Sequence, residues 1–369
     1  MAHSHNRMSM WRKWLFSTLL FLAFFEIGLR VTGLYSTYSE KIGSGYATYY
    51  GQTDNDHYHT WMPNQDIVYD QPEFKFSFKA NSFGIRENEI SEQKPDSVFR
   101  IICIGDSFTE GDGADHAHSY PRALERKLNG TARPGLSYQI YNAGVSGSDL
   151  FFMNSLLRDK LASYHPDAVI YLINGSDITD VIFRGGSERF LLDGTSRFRQ
   201  APWFHPFYRF SYVVRFITET LFGVSEHTLI PKNNIAPENN KAINMLASEM
   251  TESRNLCNSI NADCRIIVHP SPTKHTHKLA TQVNELLNNG HPRTEVDSII
   301  ADELPDLSKL MEAGGIENTL TDFILQWGQM EPQEYYWPIN GHYNAKGYEI
   351  LADHVYDQVV ASDPDFFLP

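Results

Sequence analysis

Cysteine is scarce in this chain: Cys103, Cys257 and Cys264 are the three among 369 residues. With no Cys-x-x-Cys pair, they exclude a disulfide-dense scaffold and a zinc ribbon. Positive charge is also short. Lysine plus arginine number 31 against 45 aspartates plus glutamates, a formal net charge of −14. A surface of that sign repels phosphate backbones, so no nucleic-acid partner is expected. Internal repeats, low-complexity tracts and a Gly-rich phosphate loop of the Walker type are all missing. What remains is 41% hydrophobic and 13% aromatic, too apolar for a disordered chain. Cys103 lies in an apolar run and reads as a buried thiol. Cys257 and Cys264 flank a helix-to-strand corner, where two free thiols and a small disulfide loop are both open readings.

The beginning of the chain speaks to location. Arg7, Arg12 and Lys13 precede an apolar stretch, Trp14 to Phe25, which continues past Glu26 to Arg30 and Val31. That length suffices for a thin bilayer, with Glu26 and Arg30 near one interface. Basic residues ahead of the segment predict a cytoplasmic N-terminus and an exported body, periplasmic or extracellular. A cleaved signal peptide competes with this reading, but no Ala-x-Ala-like site follows, and an uncleaved single-pass anchor is favoured. Residues 1–31 hold four basic residues and one acidic, which leaves 27 against 44, or −17, on everything after residue 31. The expected organisation is a cytoplasmic tip and anchor over 1–31, a neck and lead-in over 32–97, and one α/β domain over 98–369 enlarged by an insertion at about 184–240.

Periodicity supports that scheme. Phe74–Phe78 alternates as a short strand. Phe99–Ile104, Tyr138–Tyr141, Ala168–Ile173 and Arg265–Val268 are continuous apolar runs of buried-strand type. Helical stretches separate them, near Tyr120–Leu128, Asp149–Tyr164 and Lys241–Ile260, and another covers Tyr348–Val360. Such alternation argues for a parallel sheet covered on both faces. A fifth strand is expected near Ser298–Ala301. The insertion carries Trp203, Phe204, Phe207, Tyr208, Phe210 and Tyr212. It reads either as a helix packed on its own core or as a cap facing substrate or membrane.

Two segments carry chemistry. Gly105-Asp106-Ser107-Phe108-Thr109-Glu110-Gly111 follows the first buried strand, where ligands bind in open parallel sheets. Ser107 there is a nucleophile candidate or simply a helix N-cap. Asn340-Gly341-His342-Tyr343-Asn344 precedes the last helix, and a serine needs such a histidine as its base. His275-Thr276-His277 has a spacing sometimes used for metals but lacks a carboxylate cluster, so it reads as a solvated loop. No metal and no cofactor is expected.

These segments resemble the blocks of the SGNH/GDSL hydrolase superfamily, in particular its membrane-anchored bacterial members. The Ser107 segment resembles the nucleophile block. Asn142-Ala143-Gly144-Val145-Ser146-Gly147 resembles the second, whose final glycine donates its amide to the oxyanion. Asn174-Gly175-Ser176-Asp177 falls at the third and His342 at the last. Asn81–Arg86 resembles a lead-in of anchored members. The resemblance implies a three-layer α/β/α fold with a mostly parallel, flavodoxin-like sheet. It also implies Ser107 as nucleophile, His342 as base, and an oxyanion hole from the amides of Ser107 and Gly147 with Asn174 or Ser176. Asp106 and Asp177 would be supporting carboxylates.

Two positions depart from the family pattern. The third block usually reads Gly-x-Asn-Asp; aligned from Pro166, its asparagine falls on Ser176, with Asn174 two residues earlier. The last block usually carries an aspartate two or three residues before the histidine, where this chain has Asn340 and Ile339. Asn340 can accept from the imidazole N–H but supplies no charge; elsewhere that exchange costs roughly 10⁴ in rate. Either Ser107 and His342 act as a dyad, or a distant carboxylate completes them, with Glu331 and Glu334 as local candidates. Otherwise the site binds without turnover. The expected activity is an ester hydrolase or acyltransferase acting on O-acyl groups, such as acetyl, of an envelope or exported glycan. The alternative is a degenerate glycan-binding or assembly protein on the same fold.

Overall fold

The computed structural model describes residues 4–33, 53–54, 59–191, 196–197, 199–224, 229–328 and 330–361. The chain divides into two compact units. One comprises Met1–Thr53, Phe183–Gly185 and Arg197–Glu238; the other comprises Asp54–Ile182, Gly186–Ser196 and Asn239–Pro369. The latter part of the lead-in therefore folds with the larger unit. Most of the neck, residues 34–52 and 55–58, lies outside the described residues.

The larger unit is an α/β body on a four-stranded parallel sheet. A hairpin, β1 (Asp66–Asp70) and β2 (Lys75–Lys79), precedes it. The sheet strands are β3 (Val98–Gly105), β4 (Ser137–Gly144), β5 (Ala168–Asn174) and β6 (Asp263–His269), in the order β4-β3-β5-β6. Every residue of β5 is buried, so both faces of the sheet are covered, as its unbroken apolar run requires. Registers Gly105↔Gly144 and Asn174↔His269 align the carboxyl ends of all four strands along one rim. The chain leaves β3 to pair on one side with β4 and then on the other with β5. That reversal is a topological switch point, where such sheets bind ligands, and Ser107 follows it directly.

The α/β architecture and the parallel sheet thus agree with the sequence reading, and all four expected sheet strands are present. The fifth is not. Residues 298–301 lie within a helix, Arg293–Glu303, which buries Val296 and Ile300. A spacing of four puts both on one face of a helix, whereas the short apolar run alone fits strand or helix equally. His275 and His277 also differ from expectation. They sit not in a loop but in the first turn of a helix, Lys274–Asn288, where Thr273 caps the N-terminus. His275 faces Glu303 at 3.4 Å, and His277 Nδ1 lies 3.0 Å from the Tyr335 hydroxyl. Cys103, Cys257 and Cys264 are all free thiols.

The smaller unit begins with α1 (Ser4–Thr32), whose segment Met10–Thr32 is long and apolar enough to cross a membrane. Its 23 residues rise about 34 Å, slightly more than a hydrocarbon core of about 30 Å. The insertion contributes two short helices, His205–Phe210 and Tyr212–Phe216, the second continuing in a wider turn through Leu221.

Candidate active site

Ser107 opens a one-turn helix, α2 (Ser107–Glu110), directly after β3. Asp106 caps that helix, its Oδ1 accepting from the Phe108 amide at 2.9 Å. The geometry brings the two ends of the α/β body together. Ser107 Oγ lies 2.7 Å from His342 Nε2, and His342 Nδ1 lies 2.6 Å from Asn340 Oδ1. An amide oxygen only accepts, so Nδ1 carries the proton and Nε2 presents its lone pair to the serine hydroxyl. That is the tautomer a general base needs. The imidazole packs on the Phe108 ring, centroids 4.9 Å apart.

The loop bearing His342 is held from several sides. Asn344 caps the C-terminal helix, Ala345–Tyr356, accepting from the Gly347 amide. Trp337 N–H donates to the His342 carbonyl at 2.8 Å, while the Trp337 indole donates to the Gly113 carbonyl. Glu73, at the tip of the β1–β2 hairpin, accepts from the Asn340 amide at 2.7 Å. Neither Glu331 nor Glu334 takes the place of the missing carboxylate. They form a reciprocal cap on one short turn, and Glu334 pairs with Lys346.

One acidic side chain near the imidazole is Asp112, its Oδ2 3.9 Å from His342 Nδ1. Only 9% of that side chain is exposed. Burial pushes its carboxyl up to about 6, against the opposing pull of the Arg86 guanidinium and the Gly113 amide. Arg86 also fixes the turn, donating to the carbonyls of Gly111 and Ala114 from a position stacked over the Phe76 ring. This gives the Asn81–Arg86 segment a structural role. Asn81 accepts from the amides of Phe83 and Ile85, which turns the chain so that Arg86 enters the loop. Gly113, at φ +94°, lets the turn close; a Cβ there would lie 2.5 Å from the Tyr343 carbonyl oxygen. Asp112 was not found from the sequence. Its flanking glycines, Gly111 and Gly113, were the available sign of a tight turn presenting one carboxylate.

The expected oxyanion donors are placed as follows. Gly147 lies in a loop at φ +71°, and the preceding Ser146 donates its amide and hydroxyl to buried Glu110. Glu110 also accepts from the Trp61 indole at 2.7 Å. The second block can approach the first this closely because of Gly144, where a Cβ would lie 2.0 Å from the Glu110 amide. Asn174 and Ser176 both turn toward Asp106, donating to its Oδ2 at 2.8 and 3.0 Å. Asn174 is fully buried, and its Oδ1 accepts from the Ser176 amide, so it ties the third block to the nucleophile turn. Asp177 accepts from the Asn174 amide at 2.9 Å.

The electrostatics suit a base. Burial lowers His342 below its ordinary value of 6.5, while Asp106 and Glu110 pull it back up. The ring is therefore neutral at pH 7 and able to accept a proton. Burial raises Asp106, against the Phe108 amide, Asn174 and the imidazole. Among the described residues no cluster of His, Cys, Asp and Glu could hold a metal.

The model of one protein family, the GDSL-like lipase/acylhydrolases, matches residues 101–355. No curated protein sequence matches the chain. Solved structures that resemble it include Axe2, an acetylxylan esterase from Geobacillus stearothermophilus, at 17% identity and a TM-score of 0.36, covering 70% of this chain and 93% of that one. TesA gives 16% identity and 0.36, over 70% and 97% of the two chains. A two-domain esterase active on acetylated mannans gives 11% and 0.37, over 70% and 47%. Likeness at this level bears on neither substrate nor activity.

Proposed function

This chain belongs to the GDSL-like lipase/acylhydrolase family, and from that premise we propose that it is a serine ester hydrolase or acyltransferase held at a membrane by its N-terminal helix. In this reading the N-terminus is cytoplasmic and the body is exported. The observation that carries it is the Ser107–His342–Asn340 relay, 2.7 and 2.6 Å, in the tautomer a base requires.

Ser107 Oγ attacks an ester carbonyl while His342 Nε2 takes the hydroxyl proton. The amides of Ser107 and Gly147 face the oxyanion; the first of these is one of the N–H groups that a helix start leaves unpaired. Asn174 and Ser176 contribute mainly by holding Asp106 and the nucleophile turn. Collapse of the adduct breaks the C–O bond, and the proton on Nε2 passes to the leaving alcohol. Water or a sugar hydroxyl then attacks the acyl-enzyme, with His342 as base again, giving hydrolysis or transfer. Asn340 fixes the ring, and ionised Asp112 supplies the negative charge that Asn340 lacks. At 3.9 Å a full charge is worth up to about 4 kcal/mol at an effective dielectric near 20. The substrate is an O-acylated glycan of the envelope, acetyl esters first among them.

The test is acetate release from acetylated glycans by the full chain in detergent, beside Ser107→Ala. Equal release by the two proteins removes this substrate class. Labelling of Ser107 by a fluorophosphonate separates the remaining readings. A labelled serine without acetate release points to another acyl group. An unlabelled serine in folded protein favours the alternative, a glycan-binding or assembly role, for which the engagement of Asn174 and Ser176 with Asp106 is the motivating observation.

A further inference from the structure

The smaller unit pairs small apolar cores with several buried polar side chains and leaves large apolar ones exposed. Some of its polar side chains are turned inward and satisfied, while Arg199, Arg209, Thr220 and Lys232 stay exposed. Arg215 is buried, its guanidinium donating to the carbonyls of Tyr208 and Arg209. Tyr208 donates to Glu219, and Thr218 donates to the Val214 carbonyl. The large apolar side chains face outward: Trp203 is 83% exposed and Phe222 70%, with Phe207, Phe210 and Leu221 also well exposed. Water gives no reason for that distribution. A lipid environment does, because there buried polar groups must find protein partners and apolar surface carries no penalty.

The unit's own contacts fix its level against α1. Glu26 accepts from the amides of Tyr212 and Val213 and from the Ser211 hydroxyl, a carboxylate seated on the N-terminus of the second insertion helix. Arg30 donates to the Phe210 carbonyl at 2.7 Å and lies over the Tyr212 ring. Leu29 packs with Tyr212 and Val213, and Phe25 meets the Phe216 ring at 5.4 Å. Rising numbers in the insertion thus meet falling numbers in α1, so the second helix runs antiparallel to the last turns of the span. Phe210 stays at the exit of α1, while Leu221 and Phe222 lie further along toward its N-terminal end.

Composition sets this stretch apart from the rest of the chain. Residues 197–238 hold five basic side chains (Arg197, Arg199, Arg209, Arg215, Lys232) and three acidic (Glu219, Glu226, Glu238), +2 in a chain that is −17 after residue 31. Aromatic side chains beside arginine are the composition of a membrane–water interface.

We propose that residues 199–224 of the insertion form a lipid-facing collar on the anchor, seated in the headgroup and upper acyl region of the membrane that α1 crosses. It rests on the anchor reading above, and its occupant is the bilayer. The collar gives the span a second foot in the interface, so residues 25–32 leave the membrane in a set direction.

The experiment is an environment-sensitive fluorophore on one introduced cysteine at a time in the full chain, with Cys264→Ser and the buried Cys103 and Cys257 kept, reconstituted in vesicles of phosphatidylethanolamine and phosphatidylglycerol containing nitroxide lipids. Reporters stand at Phe21→Cys in the span, at Phe207→Cys and Phe222→Cys in the collar, and at Glu312→Cys on the α/β body. The expected result is blue-shifted, nitroxide-quenched emission at the first three and aqueous emission at the last. Aqueous emission from both collar sites with a quenched Phe21→Cys reporter overturns the collar and leaves the anchor standing. Aqueous emission from Phe21→Cys as well overturns both.

Discussion

The α/β body and the smaller unit differ in how completely they bury their large apolar side chains. In the body, β5 is buried at every residue and β3 from Arg100 onward, and the large hydrophobics exposed among the described residues are isolated: Met62, Val68, Leu191 and Ile339. In the smaller unit, α1 shows apolar side chains around much of its circumference, and the insertion adds exposed Trp203, Phe207, Phe210, Leu221 and Phe222 beside a small core of Tyr208, Val224 and Leu229. The difference teaches that amino-acid type alone does not locate a core. In the collar reading, lipid around the smaller unit accounts for its exposed apolar side chains.

Predictions that test this contrast fall in order of size. Ser107→Ala should remove ester cleavage by about three orders of magnitude or more while leaving recovery of the chain in the membrane fraction unchanged. A loss of both would mean that the two units do not divide chemistry from anchoring. Asp112→Asn should lower kcat roughly tenfold to hundredfold, within the Coulomb bound for a buried charge near 4 Å. Asn340→Asp in that background should recover part of the loss; no recovery would argue that Asp112 acts on folding rather than on the imidazole. Glu26→Ala leaves two amides and a hydroxyl without their acceptor. It should cost about 1–3 kcal/mol of local stability, read as faster proteolysis within 199–224 at unchanged kcat.

The pH profile gives a subtler result. His342 works as a base only when neutral, and burial holds its pKa below 6.5. Asp112, pushed up to about 6, carries its charge only above that pH. Both groups therefore lose their active forms as pH falls, so kcat/KM should drop steeply on the acid side, below 6.5. Asp112→Asn should leave a shallower limb of one proton. A limb of unchanged steepness would show that Asp112 does not titrate with activity. Smallest of all, Glu334→Gln should leave kcat unaltered, since that exposed carboxylate pairs with Lys346 rather than the imidazole.

Much of the body was legible in the sequence because its signals are local. Continuous apolar runs marked the four sheet strands, and Gly-Asp-Ser after the first of them marked the turn that carries Ser107. The missing fifth strand shows the limit of the method. Residues 298–301 are apolar enough for a strand, but Val296 and Ile300 share a helix face, and only packing chooses between those periods. The expected oxyanion donors show another limit. Asn174 and Ser176 were found by alignment of blocks, yet their orientation toward Asp106 depends on a buried carboxylate across the rim of the sheet.

By itself the sequence determined the α/β class, the order of the blocks, the acidic body and the apolar helix that begins the chain. These follow from composition and period, which act over a few residues at a time. Tertiary structure decided what stands 3.9 Å from His342, since Asp112 and His342 are 230 residues apart and meet only when β3 and the C-terminal loop share one rim. It likewise decided that Glu26 serves the insertion, 185 residues away at Ser211. Charge pairs and hydrogen-bond partners at such separations leave no periodic trace, because they are set by the packing of whole elements rather than by the conformation of any one.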